Sequence, residues 1–175
     1  MSKENNIAFI DGQNLHLWTT SEKWNIDFKR FRIYLKDKYK VNEVYYFLWF
    51  LSEDQQELYT KLQKSGFILI FREHSSDLIG KKKGNVDVDI VFEIMRRIID
   101  EKDFDKIVLV SGDWDYIKLV KYLIEKWLFK KILFPSAKYS SLYKQIKTEY
   151  RNNLSIVKNK IEYIKNKKHE KKRCP

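Results

Sequence analysis

The apolar positions of this chain alternate between two periods. Ile7–Ile10 is a short continuous run, the pattern of a strand covered on both faces. Leu15–Trp18 opens a short helix. Phe28–Tyr39 carries Phe28, Phe31, Ile33, Tyr34, Leu35 and Tyr39 at roughly helical spacing. Val44–Leu51 predicts an aromatic-rich strand. Ser52 is then placed to cap a helix from Glu53 to Lys64 that ends at Gly66. Phe67–Phe71 predicts the next strand, and 72–85 the longest loop. Val86–Ile99 predicts a helix with Val86, Ile90, Ile94 and Ile98 on one stripe. Lys106–Val110 (strand), Trp114–Trp127 (helix), Lys131–Phe134 (strand, closed by Pro135), Tyr139–Tyr150 (helix) and Leu154–Val157 (short strand) complete the alternation, before a lysine-rich helix.

Strands separated by helix-length segments are βαβ units, so we expect an α/β fold with a mainly parallel sheet and helices on both faces. We see no internal repeat and no linker. We expect one domain over residues 1–157 and a basic C-terminal arm over 158–175.

In an open parallel sheet, residues just past the strand C-termini converge on one crevice. Four carboxylates occupy such positions. Asp11 ends the first apolar run, Asp113 and Asp115 follow Ile107–Val110, and Asp87 opens the helix after the lysine loop. Each has a plain structural role available, since Asp caps helices and favours their N-terminal dipole. Their shared placement favours a site. Asp87 and Asp89 cannot both line it. We prefer Asp87, with Asp89 second. Asn14 could orient a water or a phosphate oxygen through its amide, and Ser111, beside Asp113, is a further substrate-binding candidate. Gathered carboxylates repel unless a cation lies between them, and oxygen donors of this kind suit Mg²⁺.

The chain has 175 residues and a formal net charge of +11. An acidic pocket on a basic body suits a metal-dependent enzyme acting on a polyanion. The excess is uneven, because Lys158–Arg173 holds eight Lys/Arg against Glu162 and Glu170, a net +6. We read this arm as a polyphosphate-binding element. Lys81, Lys82 and Lys83, in a glycine-bounded loop ahead of Asp87, are placed to guide a phosphodiester backbone. Trp114, between the two aspartates, is a candidate for stacking on an unpaired base. His16, His74 and His169 have no metal-ligand spacing. The single cysteine, Cys174, permits no intrachain disulfide. Absence of a signal-like start or a membrane-length apolar run points to the cytoplasm, with no membrane partner. No Walker-type, dinucleotide or nucleophile-elbow motif is present.

Three segments carry a resemblance. Phe9-Ile10-Asp11-Gly12-Gln13-Asn14-Leu15, Lys83-Gly84-Asn85-Val86-Asp87-Val88 and Val110-Ser111-Gly112-Asp113-Trp114-Asp115-Tyr116 resemble, in order and rough spacing, three motifs of the NYN domain, a branch of the PIN-like nuclease superfamily. Asn85 is an extra residue relative to the Lys-Gly-Val-Asp motif, and Trp114 is bulkier than the small residue expected there. The resemblance implies a three-layer α/β/α, Rossmann-like PIN-like fold and a Mg²⁺ or Mn²⁺ site for cleaving RNA. By it Asp11, Asp87, Asp113 and Asp115 are metal-binding and catalytic, Asn14 is catalytic and substrate-orienting, and Glu93 matches a further acidic position. We therefore expect a metal-dependent ribonuclease preferring single-stranded RNA, with DNA and a homodimer also compatible. The alternative is a weakly active RNA-binding module that works with a partner. An aspartyl phosphatase would place a second aspartate two residues after Asp11, where Gln13 stands.

Overall fold

In the computed structural model the described residues are 4–49, 51–72, 86–101 and 103–164. Six strands form one sheet: β1 (Asn6–Asp11), β2 (Val41–Leu48), β3 (Ile68–Phe71), β4 (Ile107–Val110), β5 (Phe129–Phe134) and β6 (Arg151–Asn153). Their order is β3-β2-β1-β4-β5-β6, and every pairing is parallel. The chain lays down β1, β2 and β3 in one direction, then crosses to the far side of β1 for β4, β5 and β6. The strand order therefore reverses between β1 and β4, where an open α/β sheet leaves a crevice at the strand C-termini.

The sheet is covered on both faces, as the continuous apolar runs require. Ile7 and Phe9 of β1 point to one core, and Ala8 and Ile10 to the other. The first core is closed by Ile90 and Ile94 of α4 (Val86–Asp100) and by Leu119, Val120 and Leu123 of α5 (Ile117–Glu125). The second is closed by Leu15 of α1 (Gly12–Ser21), Phe31 and Leu35 of α2 (Phe28–Tyr39), Leu62 of α3 (Gln56–Lys64) and Ile161 of α6 (Lys158–Ile161). The result is a three-layer α/β/α arrangement. No helix among the described residues is long and apolar enough to cross a membrane.

Four expectations need correction. Tyr139–Tyr150 is not an α-helix but two 3₁₀ turns, Ser141–Gln145 and Thr148–Tyr150. Tyr139, Tyr143, Ile146 and Tyr150 do have helical spacing, yet extended backbone at Ser140, Ile146 and Lys147 interrupts the segment. Stacking of Tyr139 on Phe134, with centroids 3.9 Å apart, and full burial of Tyr143 hold the broken path. The last strand lies at 151–153, one segment earlier than expected, and Leu154–Val157 is a 3₁₀ turn. Ser52 stands at the N-terminus of its helix without a side-chain cap, and its backbone N–H donates to the Tyr59 hydroxyl instead. The boundary expected at 157 falls inside the packed body. Ile161 is fully buried, and its carbonyl accepts from the Asp27 N–H.

Candidate metal centre

Asp11 is the last residue of β1 and the N-cap of α1. Its Oδ1 accepts the Asn14 N–H at 2.9 Å. Gly12 makes this exit passable, because a Cβ there would lie 2.3 Å from the Tyr46 ring and 2.5 Å from the Phe47 carbonyl oxygen. Asn14, in the first turn of α1, bridges two loops. Its Oδ1 accepts the Gly112 N–H at 2.9 Å, joining the β1 exit to the β4 exit. That bond also settles the orientation of the amide, since a backbone N–H can only donate.

Past β4, Ser111 is fully buried, and its hydroxyl accepts the Asp113 N–H. Ser111 thus shapes the turn that carries Asp113. Asp113 caps the following turn by accepting the Asp115 N–H at 3.2 Å. Both structural roles weighed for these aspartates are therefore present, and they orient the carboxylates without consuming all their oxygens.

Asp87, Asp113 and Asp115 each place a carboxylate oxygen within 4.8 Å of the other two. Asp87 is buried, Asp113 partly buried and Asp115 exposed, so the group opens to solvent on one side. Trp114 does not wedge the pair apart. It is 57% exposed while its two neighbours still converge. Asp89 points elsewhere and faces Arg72, 3.7 Å away. The extra Asn85 has therefore not moved Asp87 away from the cluster. Glu93 is tied to Arg96 and Arg97 along α4 and takes no part.

The sequence pattern puts Asp11 inside the same solvent-open cluster. In the structure it lies behind it, 5% exposed. Burial, then the charges of Asp87 and Asp113, push its carboxyl up to about 6 from an ordinary 3.8. Two buried tyrosines meet these groups. The Tyr116 hydroxyl lies 3.4 Å from Asp11 Oδ2, and the Tyr143 hydroxyl donates to the Asp113 carbonyl. Burial raises both phenols, with Asp11 next for Tyr116 and Asp113 next for Tyr143, so both remain donors. The sequence signal for Tyr116 is its place in the third motif, where the family pattern has Phe. Lys81, Lys82, Lys83 and Asn85 lie outside the described residues, as does the arm beyond 164.

Three carboxylates at this separation cost about 1 to 3.5 kcal/mol per pair, between water-like and protein-surface dielectrics. No salt bridge to Asp113 or Asp115 occurs among the described residues. An all-oxygen, graded-burial set of this kind fits a hard divalent cation that keeps water or phosphate ligands on its open side.

Comparison with known proteins agrees with this fold. The crystal structure of a protein of unknown function, VPA0982 from Vibrio parahaemolyticus RIMD 2210633, superposes with a TM-score of 0.65 at 22% identity. The match covers 86% of this chain and 91% of that one. At that identity the likeness speaks for the fold. No curated protein matches the chain. The family model of the NYN domain matches residues 6–155, which hold all four aspartates and the whole sheet, and the chain therefore belongs to the NYN domain family, with its nuclease-like fold.

Proposed function

We propose that the protein is a divalent-metal-dependent ribonuclease that hydrolyses phosphodiester bonds in single-stranded RNA. The observation that carries this reading is the convergence of Asp87, Asp113 and Asp115 at the reversal point of the sheet. Asp87, Asp113 and Asp115 would hold Mg²⁺ or Mn²⁺, with Asp11 adding negative charge from beneath. When bound, such an ion supplies Lewis-acid polarisation of a phosphoryl oxygen and lowers the pKa of a water.

The residues of the chain supply the rest. Asn14 locks the two aspartate-bearing loops together, so Asp11 and Asp113 keep a constant relation. Tyr143 fixes the Asp113 backbone from below. Asp115, the most exposed of the three, is placed to accept a proton from an attacking water. Trp114 presents its ring to solvent beside the cluster, where an unpaired base can stack. The basic arm beyond residue 164 would hold the strand's backbone.

The test is incubation of labelled single-stranded RNA with Mn²⁺, Mg²⁺ or EDTA. Cleavage should require the ion and disappear in Asp113→Asn, while RNA binding persists. Equal cleavage in EDTA, or by the variant, would refute the assignment.

A further inference from the structure

A cavity of about 210 Å³ lies further along α1. Its walls include Leu15 and His16 of α1, Asn25 and Phe28 around the start of α2, Tyr46 of β2 and Leu58 of α3. His16 is five residues past Asp11, about 7.5 Å along the helix axis at 1.5 Å per residue. Asp11, the carboxylate behind the acidic cluster, and the cavity therefore lie along one rigid element.

The lining has a definite chemistry. None of its residues carries a full charge when His16 is neutral, so it is ill suited to phosphate. Phe28 and Tyr46 meet edge to face, with centroids 6.0 Å apart and planes at 89°, which makes an aromatic corner. Among the described residues, the Asn25 amide, the His16 imidazole and the Tyr46 hydroxyl make no side-chain hydrogen bond. Three polar groups thus surround a flat apolar corner. The volume equals about seven waters at ~30 Å³ each. That is below the roughly 300–1,000 Å³ of pockets for drug-sized ligands. A planar ring system fits, and a whole nucleotide does not. Tyr46 links the two sites: its ring packs on Gly12, and after burial the Asp11 charge helps to raise its hydroxyl.

We propose that this cavity receives the nucleobase of a nucleotide next to the scissile phosphate, and so sets a base preference for cleavage. This rests on the ribonuclease reading above. The Phe28–Tyr46 corner supplies ring contact, and the Asn25 and His16 side chains supply hydrogen bonds to the base edge.

The test uses fluorescein-labelled oligo-A, oligo-C and oligo-U, with binding read by anisotropy in EDTA. Cut sites are mapped on a mixed-sequence RNA in Mn²⁺. Leu58→Trp fills the cavity, and Asn25→Ala removes one edge donor. The wild type should bind one homopolymer best and cut beside that base. Leu58→Trp should weaken that binding about tenfold, in the range of a single base–aromatic stack, and scatter the cut sites. Asn25→Ala should reduce the preference with a smaller loss of affinity. Unchanged affinity and unchanged cut sites in a folded Leu58→Trp would overturn the proposal. If Leu58→Trp does not fold, the exposed Asn25 decides alone, and an unaltered preference in Asn25→Ala is then the overturning result. If the wild type cleaves no RNA with either ion, the ribonuclease reading fails separately. The anisotropy series then still decides whether the cavity takes a base.

Discussion

Asp11→Asn isolates the electrostatic cost of the site. In the folded chain this carboxyl titrates near 6, against 3.8 when unperturbed. Below pH 3.8 both folded and unfolded chains hold the proton, and the site costs nothing. As pH rises, the unfolded chain ionises first and is favoured, so stability falls until the folded carboxyl also ionises. The gap of about 2 pKa units corresponds to roughly 3 kcal/mol above pH 6, and to about 1.6 kcal/mol at pH 5. Asparagine removes this cost while keeping the geometry. Its Oδ1 still accepts from the Asn14 N–H, and its NH₂ meets the Tyr116 hydroxyl oxygen. In EDTA, the variant should therefore be more stable than the wild type by about 2–3 kcal/mol at pH 8, or roughly 5–10 °C in Tm. The advantage should shrink to about half at pH 5. Urea denaturation at both pH values measures it. A destabilised variant, or an advantage independent of pH, would refute burial of an ionisable Asp11 behind the cluster.

Other substitutions probe the scaffold. Gly12→Ala should cost about 3 kcal/mol or more in urea melts, because the new Cβ meets the backbone oxygen of Phe47, which cannot rotate away. Asn14→Ala leaves the Gly112 N–H without its acceptor and should cost about 1–3 kcal/mol, with a loss of cleavage larger than its loss of RNA binding. Glu93→Gln should leave the metal dependence of cleavage unchanged, since Glu93 serves only Arg96 and Arg97. Truncation after Ile164 should flatten the salt dependence of RNA binding by roughly 0.7 in log–log slope for each phosphate that the arm neutralises. Truncation after Val157 should also lower Tm, because it removes the buried Ile161.

The sheet was legible because its central strands are apolar without interruption, a pattern that only a doubly covered strand sustains. The positions of Asp11, Asp113 and Asp115 followed from the same runs. What the runs could not carry is how deep a carboxylate sits. Asp11 and Asp113 hold equivalent places in the pattern, yet one is sealed beneath Tyr116 and the other reaches water. That difference arises from tertiary packing of an aromatic residue 105 positions away. Asp87 was separated from Asp89 by helix geometry alone, with Arg72 as the partner that occupies Asp89. Tyr139–Tyr150 misled because its aromatic stripe has helical spacing, while contacts with Phe134 and the Asp113 carbonyl set the path. His16 showed no ligand spacing, and its place in a cavity wall depends on α2 and α3 folding against α1.

The pairing of β1 with β4 also governs when the carboxylate centre comes into being. Ile7 pairs with Ile107, a hundred residues later in the chain. Closing that loop is entropically slow compared with forming helices or the β1–β2 contact. A chain emerging from the ribosome can therefore build α1, β2, α2 and α3 with Asp11 and no cluster. The three carboxylates meet only after β4 docks, and the cluster cannot be complete before residue 115 has been made. A protein built on this plan has no assembled centre until about two thirds of its message has been read, and if the proposed cleavage holds, refolding assays should show it returning with the slowest long-range phase.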